Sequence, residues 1–314
     1  VRAQRERIRR GRRVSAFGLA IDADVDLPMP ARSGDESAEL EIVEDDGLLD
    51  RIDDDAWGVL TEERLPLGFG GWGFELRLDD NEIRYQLVPD LTWSVPVDHM
   101  LERKILPLYS AVTHQERVAL HAGALAATNN GVLVIGTTGA GKSTTIYHDM
   151  DRHGAKLVAD EMAVVDTESG TLFHGGPALR IEPPVPGEAR PVESGQIHPE
   201  LKKHWMRFGD EKVAREDCEL GDIVVLQPTE GVEGSGELVE LRGAESLQAV
   251  LSETFDFEEA PRAWKKRRFR NVGRMVKQTK VWAYRYDPEA IGAAERVDAM
   301  WNALFDDTDE GDSA

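Results

Sequence analysis

The chain has a single cysteine, Cys218, in 314 residues. No internal disulfide can staple it, and no thiolate cluster can hold a metal. No apolar run approaches the twenty or so residues of a membrane span. Lysine is scarce: ten of the 37 basic residues are Lys, against 59 Asp and Glu, and the formal net charge is −22. That balance disfavours a general nucleic-acid binder, whose footprint would be basic. A surface so acidic and so poor in lysine suits concentrated salt, where repulsion among like charges is screened. The expected setting is a halophile's cytoplasm. With 41% hydrophobic residues, the chain can build one large domain or two modest ones.

Its organisation follows from composition and periodicity. Residues 1–13, "VRAQRERIRRGRR", predict a basic disordered arm, and "VSAFGLAIDADVDLP" acquires charge too early for the apolar segment of a signal peptide. Residues 14–97 form a β-rich module. Its runs "SAFGLAID", "AELEIVED", "GFELRLD", "EIRYQLV" and "LTWSVPV" alternate apolar and polar, as in a half-exposed antiparallel sheet. It holds no catalytic constellation. A second domain spans 98–305. It opens on a helix, "VDHMLERKILPLYSAVTHQE", kinked at Pro107, and continues with a hairpin of "VALHAGALAAT" and "GVLVIG" joined at Asn129-Asn130-Gly131. Strands ("DIVVLQP", "GELVELRG", "KVWAYRY") then alternate with helices ("AESLQAVLSETF", "AAERVDAMWNALF"). Residues 306–314, "DDTDEGDSA", predict an acidic disordered tail.

The chemistry concentrates where an apolar strand collapses into glycines. Gly136-Thr137-Thr138-Gly139-Ala140-Gly141-Lys142-Ser143, followed by Thr144, fits G-x-x-x-x-G-K-[ST] at every position. Glycines let backbone N–H groups approach phosphates, and a helix N-terminus adds positive potential. Lys142 would neutralise the β- and γ-phosphates, and the Ser143 hydroxyl would ligate Mg²⁺. Downstream, Asp160 and Glu161 end the apolar strand "LVAD". One carboxylate can hold the metal; the other can accept a proton from an attacking hydroxyl. His121 lies just before the strand leading to the glycine loop, and is as consistent with a structural role as with a catalytic one.

Three further features point away from sites. His148 and His153 in "HDMDRH" diverge on a helix and read as a solvated face. "ESGQ" at 193–196 lies on the wrong side of the acidic strand for a transporter signature. "WKKRRFRNVGRMVKQTK" at 264–280 reads as a helix face pairing with local acids.

The stretch "LHAGALAATNNGVLVIGTTGAGKSTT…GAKLVADEMAVVD" resembles the HPr serine kinase family, which shares its nucleotide-binding core with ATP-dependent phosphoenolpyruvate carboxykinase. A weaker likeness, from Phe17-Gly18-Leu19 to "LRGAESL…VWAYRYDPEAI", is to HPr-kinase-related proteins of peptide-modification gene clusters, some of them lasso-peptide kinases. The resemblance implies an α/β P-loop kinase core preceded by the β-rich module. It implies ATP at Gly136 to Thr144, Mg²⁺ at Ser143 with Asp160 and Glu161, and a catalytic acid at Asp160 or Glu161 with His121 beside it. Arg180 would contact phosphate. The acceptor would be a serine of a peptide or protein, with no nucleic acid and no membrane as partner and homo-oligomerisation left open. Two departures matter. Glu161 stands where the family has a second aspartate, and "PALRIEPPVPG" replaces the glycine-rich "EIRGLG" signature, so neither HPr as substrate nor a reverse phosphorylase reaction carries over. The alternatives are a small-metabolite kinase and a regulatory nucleotide-binding protein or slow ATPase without an acceptor.

Overall fold

The computed structural model describes residues 12–31, 37–53, 56–69, 71–89, 95–127, 130–183, 187–196, 202–257 and 259–305. The acidic tail, all but the end of the basic arm, Asn129 and most of "LTWSVPV" lie outside them. The described chain is a mixed α/β structure with three sheets.

The first sheet has six strands in the order β1-β2-β3-β6-β5-β4. They are β1 (Arg12–Ala16), β2 (Leu19–Ala23), β3 (Leu40–Glu44), β4 (Arg64–Phe69), β5 (Trp72–Arg77) and β6 (Glu82–Leu87). Two expectations change here. "SAFGLAID" is a hairpin rather than one strand: Phe17 and Gly18 both take positive φ, 54° and 67°, and Ala16 pairs with Leu19 across them. Two left-handed residues match the twist of the flanking strands. The strain at Phe17 is held by its contacts: its N–H donates to the His174 carbonyl at 2.7 Å and its carbonyl accepts from Ser110 Oγ at 2.8 Å. The sheet is also mixed, because β3 pairs in parallel with both β2 and β6. Alternation reports a half-buried strand but not its direction, and residues 24–39 are long enough for a crossover. The unforeseen β4 carries Pro66 and Gly68 and lies on the sheet edge, where a missing N–H is tolerated.

A helix, α1, follows in three segments: α-helical Val97–Met100, π-helical Leu101–Ile105 and α-helical Leu106–Thr113. The irregularity falls just before Pro107. Without its N–H, Pro107 cannot bond the carbonyl of residue 103, and the wider turn accommodates the loss.

The second sheet has nine strands. Its path runs β10-β8-β9-β16-β12-β11-β7, with β18 pairing β16 and β17. They are β7 (Arg117–Leu120), β8 (Gly123–Ala127), β9 (Asn130–Ile135), β10 (Lys156–Ala159), β11 (Ala163–Asp166), β12 (Thr171–Leu172), β16 (Cys218–Pro228), β17 (Glu237–Leu241) and β18 (Lys280–Tyr286). A small third sheet orders β13 (Ala178–Ile181), β15 (His204–Arg207) and β14 (Glu193–Gln196) as β13-β15-β14. The remaining helices are α2 (Lys142–Arg152), α3 (Ala244–Ser252), α4 (Arg262–Gln278) and α5 (Ala293–Phe305).

One apolar cluster runs from the first sheet through α1 into the second, including Phe17, Phe74, Leu106, Tyr109, Leu120 and Val164. Burying each large side chain of this kind contributes roughly 1.5–3 kcal/mol. The basic stretch behaves as expected. On α4, Arg274 pairs with Glu116 at 2.6 Å and Arg268 with Asp256 at 2.9 Å. "HDMDRH" does not. His148 and Asp149 are buried and His153 stacks on Trp301, because α2 packs both on β8 and on α5 and has no broad solvated face.

Candidate functional site

Topology brings the sequence's candidates together. β8 is antiparallel to both β9 and β10, so those two strands run the same way and end at one edge of the sheet. The glycine loop leaves the end of β9 and the acid pair leaves the end of β10. His121 sits at the start of β8, on that same edge. A cavity of about 380 Å³ opens there, and its lining includes Thr137 to Gly139, Gly141 to Thr144, His121, Asp160, Glu161 and Arg180.

The loop is built for close backbone approach. Gly136, Gly139 and Gly141 take φ of 146°, 89° and 84°. A side chain at Gly136 would also strike the Leu226 carbonyl, 2.8 Å from its Cβ position. The N-cap of α2 is Gly141, which supplies no side-chain cap. The first N–H groups of α2 therefore have no intrahelical partner and face the cavity end of the helix. Lys142 folds back over the loop, its Nζ donating to the carbonyls of Gly136 at 2.5 Å and Thr137 at 3.5 Å. Burial draws its ammonium below the ordinary value, with Glu253 and Asp160 pulling the other way.

The two carboxylates occupy different environments. Asp160 accepts from Ser143 Oγ at 3.0 Å through one oxygen. Through the other it accepts from the Arg180 backbone N–H and from an Arg103 Nη, both at 2.8 Å. Glu161 points into cations: Arg103 Nε at 3.0 Å, Lys104 Nζ at 2.8 Å and an Arg180 Nη at 3.0 Å. Burial pushes its carboxyl up, and Arg103, Lys104 and Arg180 together outweigh that, holding it far below the usual carboxylate range. Its backbone is left-handed, φ 72°, a conformation that costs a non-glycine residue on the order of 1 kcal/mol and persists only where surroundings impose it.

His121 is half-exposed. Its backbone N–H donates to the Glu253 carbonyl at 2.6 Å, and its ring Nδ1 lies 3.6 Å from Glu253 Oε2. Burial, then the charges of Lys142 and Lys104, lower its imidazole below the ordinary value, against an opposing pull from Glu161 and Asp160. A neutral ring able to accept a proton results.

The donor set fits Mg²⁺. Ser143 Oγ and Asp160 Oδ1 are hard oxygens already in contact beside the loop, which suits an ion that keeps most of its waters and takes one or two protein ligands plus phosphate. Among the described residues no group of three or more His, Cys, Asp or Glu could cage a metal unaided. Glu161 is committed to cations instead.

Sequence reasoning missed Arg103 and Lys203, which also line the cavity, and Lys104 and Glu253, which contact Glu161 and His121. A signal existed for Arg103 and Lys104: "LERKILPLYSAV" places charges in an otherwise apolar helix, where a buried charge requires a partner. Lys203 and Glu253 come from the third sheet's connection and the end of α3, and nothing local marks them.

No family model matches this chain, and no curated protein matches it. Among solved structures, the HPr(Ser) kinase/phosphatase from Coxiella burnetii aligns with a TM-score of 0.31 at 12% identity, over 59% of this chain and 96% of that chain.

Proposed function

We propose that this chain is an ATP-dependent kinase that transfers the γ-phosphate to a hydroxyl, the acceptor being a serine of a peptide or protein. The observation that carries the reading is the 3.0 Å contact between Ser143 Oγ and Asp160 Oδ1, made beside a glycine loop whose lysine and helix N-terminus face one cavity. Ser143 and Asp160 would hold Mg²⁺, which when bound neutralises charge on the β- and γ-phosphate oxygens.

The chain's own groups do the rest. The loop N–H groups and Lys142 bind and orient the triphosphate. Arg103, fixed by both carboxylates, and Arg180, fixed by Glu161, keep positive charge on the side of the cavity where negative charge shifts during transfer. Phosphoryl transfer has a loose transition state, so positioning and neutralisation supply most of the acceleration and little is asked of a base. The acceptor proton goes to His121. It is neutral and half-exposed in the cavity, whereas Asp160 and Glu161 are engaged at both oxygens.

One observation favours a rival. Carboxylates so thoroughly paired also fit a nucleotide-binding or slowly hydrolysing protein with no acceptor. Incubation with γ-labelled ATP and Mg²⁺ separates the readings, using an oriented library of serine-containing peptides and, in parallel, free serine. Label in peptide supports the proposal. Label in free serine alone makes this a small-metabolite kinase, and label in inorganic phosphate alone favours the rival. Transfer by Lys142→Ala at the wild-type rate would overturn the kinase reading.

A further inference from the structure

Behind the glycine loop, away from the cavity, lies a buried cation that the reading above does not use. Arg296 of α5 is 7% exposed. Its Nη2 reaches Thr145 Oγ1 at 3.3 Å, its guanidinium carbon stands 4.4 Å from the centre of the Tyr286 ring, and its Nε has no hydrogen-bond partner. The Tyr286 hydroxyl in turn donates to the Ala140 carbonyl at 2.6 Å. The guanidinium fills the space a side chain at position 141 would need: a Cβ on Gly141 would lie 3.0 Å from Nη2. Glycine is required there twice over, by its positive φ and by Arg296.

A guanidinium out of water costs several kcal/mol unless a counter-charge offsets it. Among the described residues no carboxylate forms an ion pair with Arg296. Asp149 feels its charge but forms no ion pair with it: its Oδ1 has no hydrogen-bond partner, and burial, then the charge of Asp298, raise its carboxyl above the ordinary value against the pull of Arg296. The cation is thus under-compensated, and it abuts the glycine loop, where a Cβ on Gly141 would meet it.

We propose that Arg296 is a positioning residue whose fixed charge beneath the loop is balanced by the bound polyphosphate, and which holds the loop open for it through Thr145 and Tyr286. The proposal rests on the nucleotide-binding reading above. Its signature is that the benefit scales with phosphate charge, which mere stabilisation of the fold would not produce.

Equilibrium binding of ATP, ADP and AMP, each with Mg²⁺, to wild type, Arg296→Met and Arg296→Lys tests it. Arg296→Met is expected to raise the Kd for ATP about tenfold, the order expected between unit charges roughly 12 Å apart at the screening typical near a protein surface. The loss should shrink through ADP to AMP, and Arg296→Lys should recover most of it. Should Arg296→Met fail to fold, Arg296→Gln, which can still hydrogen-bond Thr145, serves as the neutral variant. Equal losses for all three nucleotides, or unchanged affinities with only a lower Tm, would overturn the proposal alone. A folded wild type that binds none of the three would overturn the nucleotide-binding reading and this inference with it.

Discussion

The chain uses arginine–carboxylate pairing in two places, with opposite consequences. On the six-stranded sheet, Arg84 pairs with Asp45 at 3.1 Å and with Glu82, while Arg77 pairs with Asp80 and Glu82. These side chains are between 18% and 51% exposed. In the cavity, Arg103 pairs with Asp160 and Glu161 while only 6% exposed. The first arrangement is solvated and lines no cavity that also holds the loop. The second pins a strained residue, fixes a carboxyl far below its normal range and shares a cavity with the glycine loop. Burial, rather than the number of ion pairs, distinguishes a site from a decorated surface.

The difference is widest in the effect of deleting one arginine. Arg103→Met leaves the buried Asp160 without its ion-pair partner and Glu161 with only Lys104 and Arg180, and should cost roughly 3–5 kcal/mol, read from denaturant unfolding. Arg84→Ala should cost less than about 1 kcal/mol by the same measurement. Molar KCl should reduce the Arg84 effect and leave the Arg103 effect nearly intact, because buried pairs are weakly screened. Equal costs for the two variants would break the comparison.

Within the cavity, the roles assigned to its acids and its imidazole come next. His121→Gln should lower turnover by about a hundredfold, the usual scale for a lost proton acceptor, and leave ATP affinity unchanged. Glu161→Gln should act mainly on stability and on ATP affinity, because it removes the anchor of Arg103, Lys104 and Arg180. Exchanged phenotypes would move the proton acceptor to Glu161.

The smallest expected effect is on pH-dependent stability. Burial is the first cause lowering His114, His121 and His148 from the ordinary value of 6.5. The unfolded chain therefore binds protons at pH values where the folded one does not. Stability is full above 6.5 and falls as the pH drops below it toward the folded values. Glu161 adds a further loss as the pH falls below 4.5. Asp149 opposes both, its raised value favouring the fold in acid. The Tm should fall by a few degrees between pH 7 and pH 5.5. On the six-stranded sheet the corresponding shift, at Asp45, is downward, so it contributes only in stronger acid.

Legibility in the sequence followed the same division. The glycine loop, Lys142, Ser143, the acid pair and His121 were all readable, because each is marked by local residue type and spacing, and the structure places them around one cavity. Helix α5 was readable to its ends, since its apolar residues recur at helical spacing. The direction of β3 was not, because period-two alternation is identical in parallel and antiparallel strands. Nor was the hairpin at Phe17-Gly18, where a phenylalanine occupies a left-handed position through contacts with Ser110 and His174 far along the chain. Arg296, Lys203 and Glu253 were invisible for a related reason. Their roles depend on what surrounds them after folding, and nothing in their own segments records it.

The central claim, that the glycine loop together with Ser143 and Asp160 forms a site for Mg²⁺-bound ATP, is tested most directly by calorimetric titration. ATP is added to wild type and to Asp160→Asn, in excess Mg²⁺ and again in EDTA. The account predicts that wild type binds more tightly with Mg²⁺ than without. It predicts that Asp160→Asn loses about tenfold or more of its affinity in Mg²⁺, as a lost metal ligand would, and loses little in EDTA. Equal affinities of the two proteins in Mg²⁺, or no binding by wild type in either buffer, would contradict it.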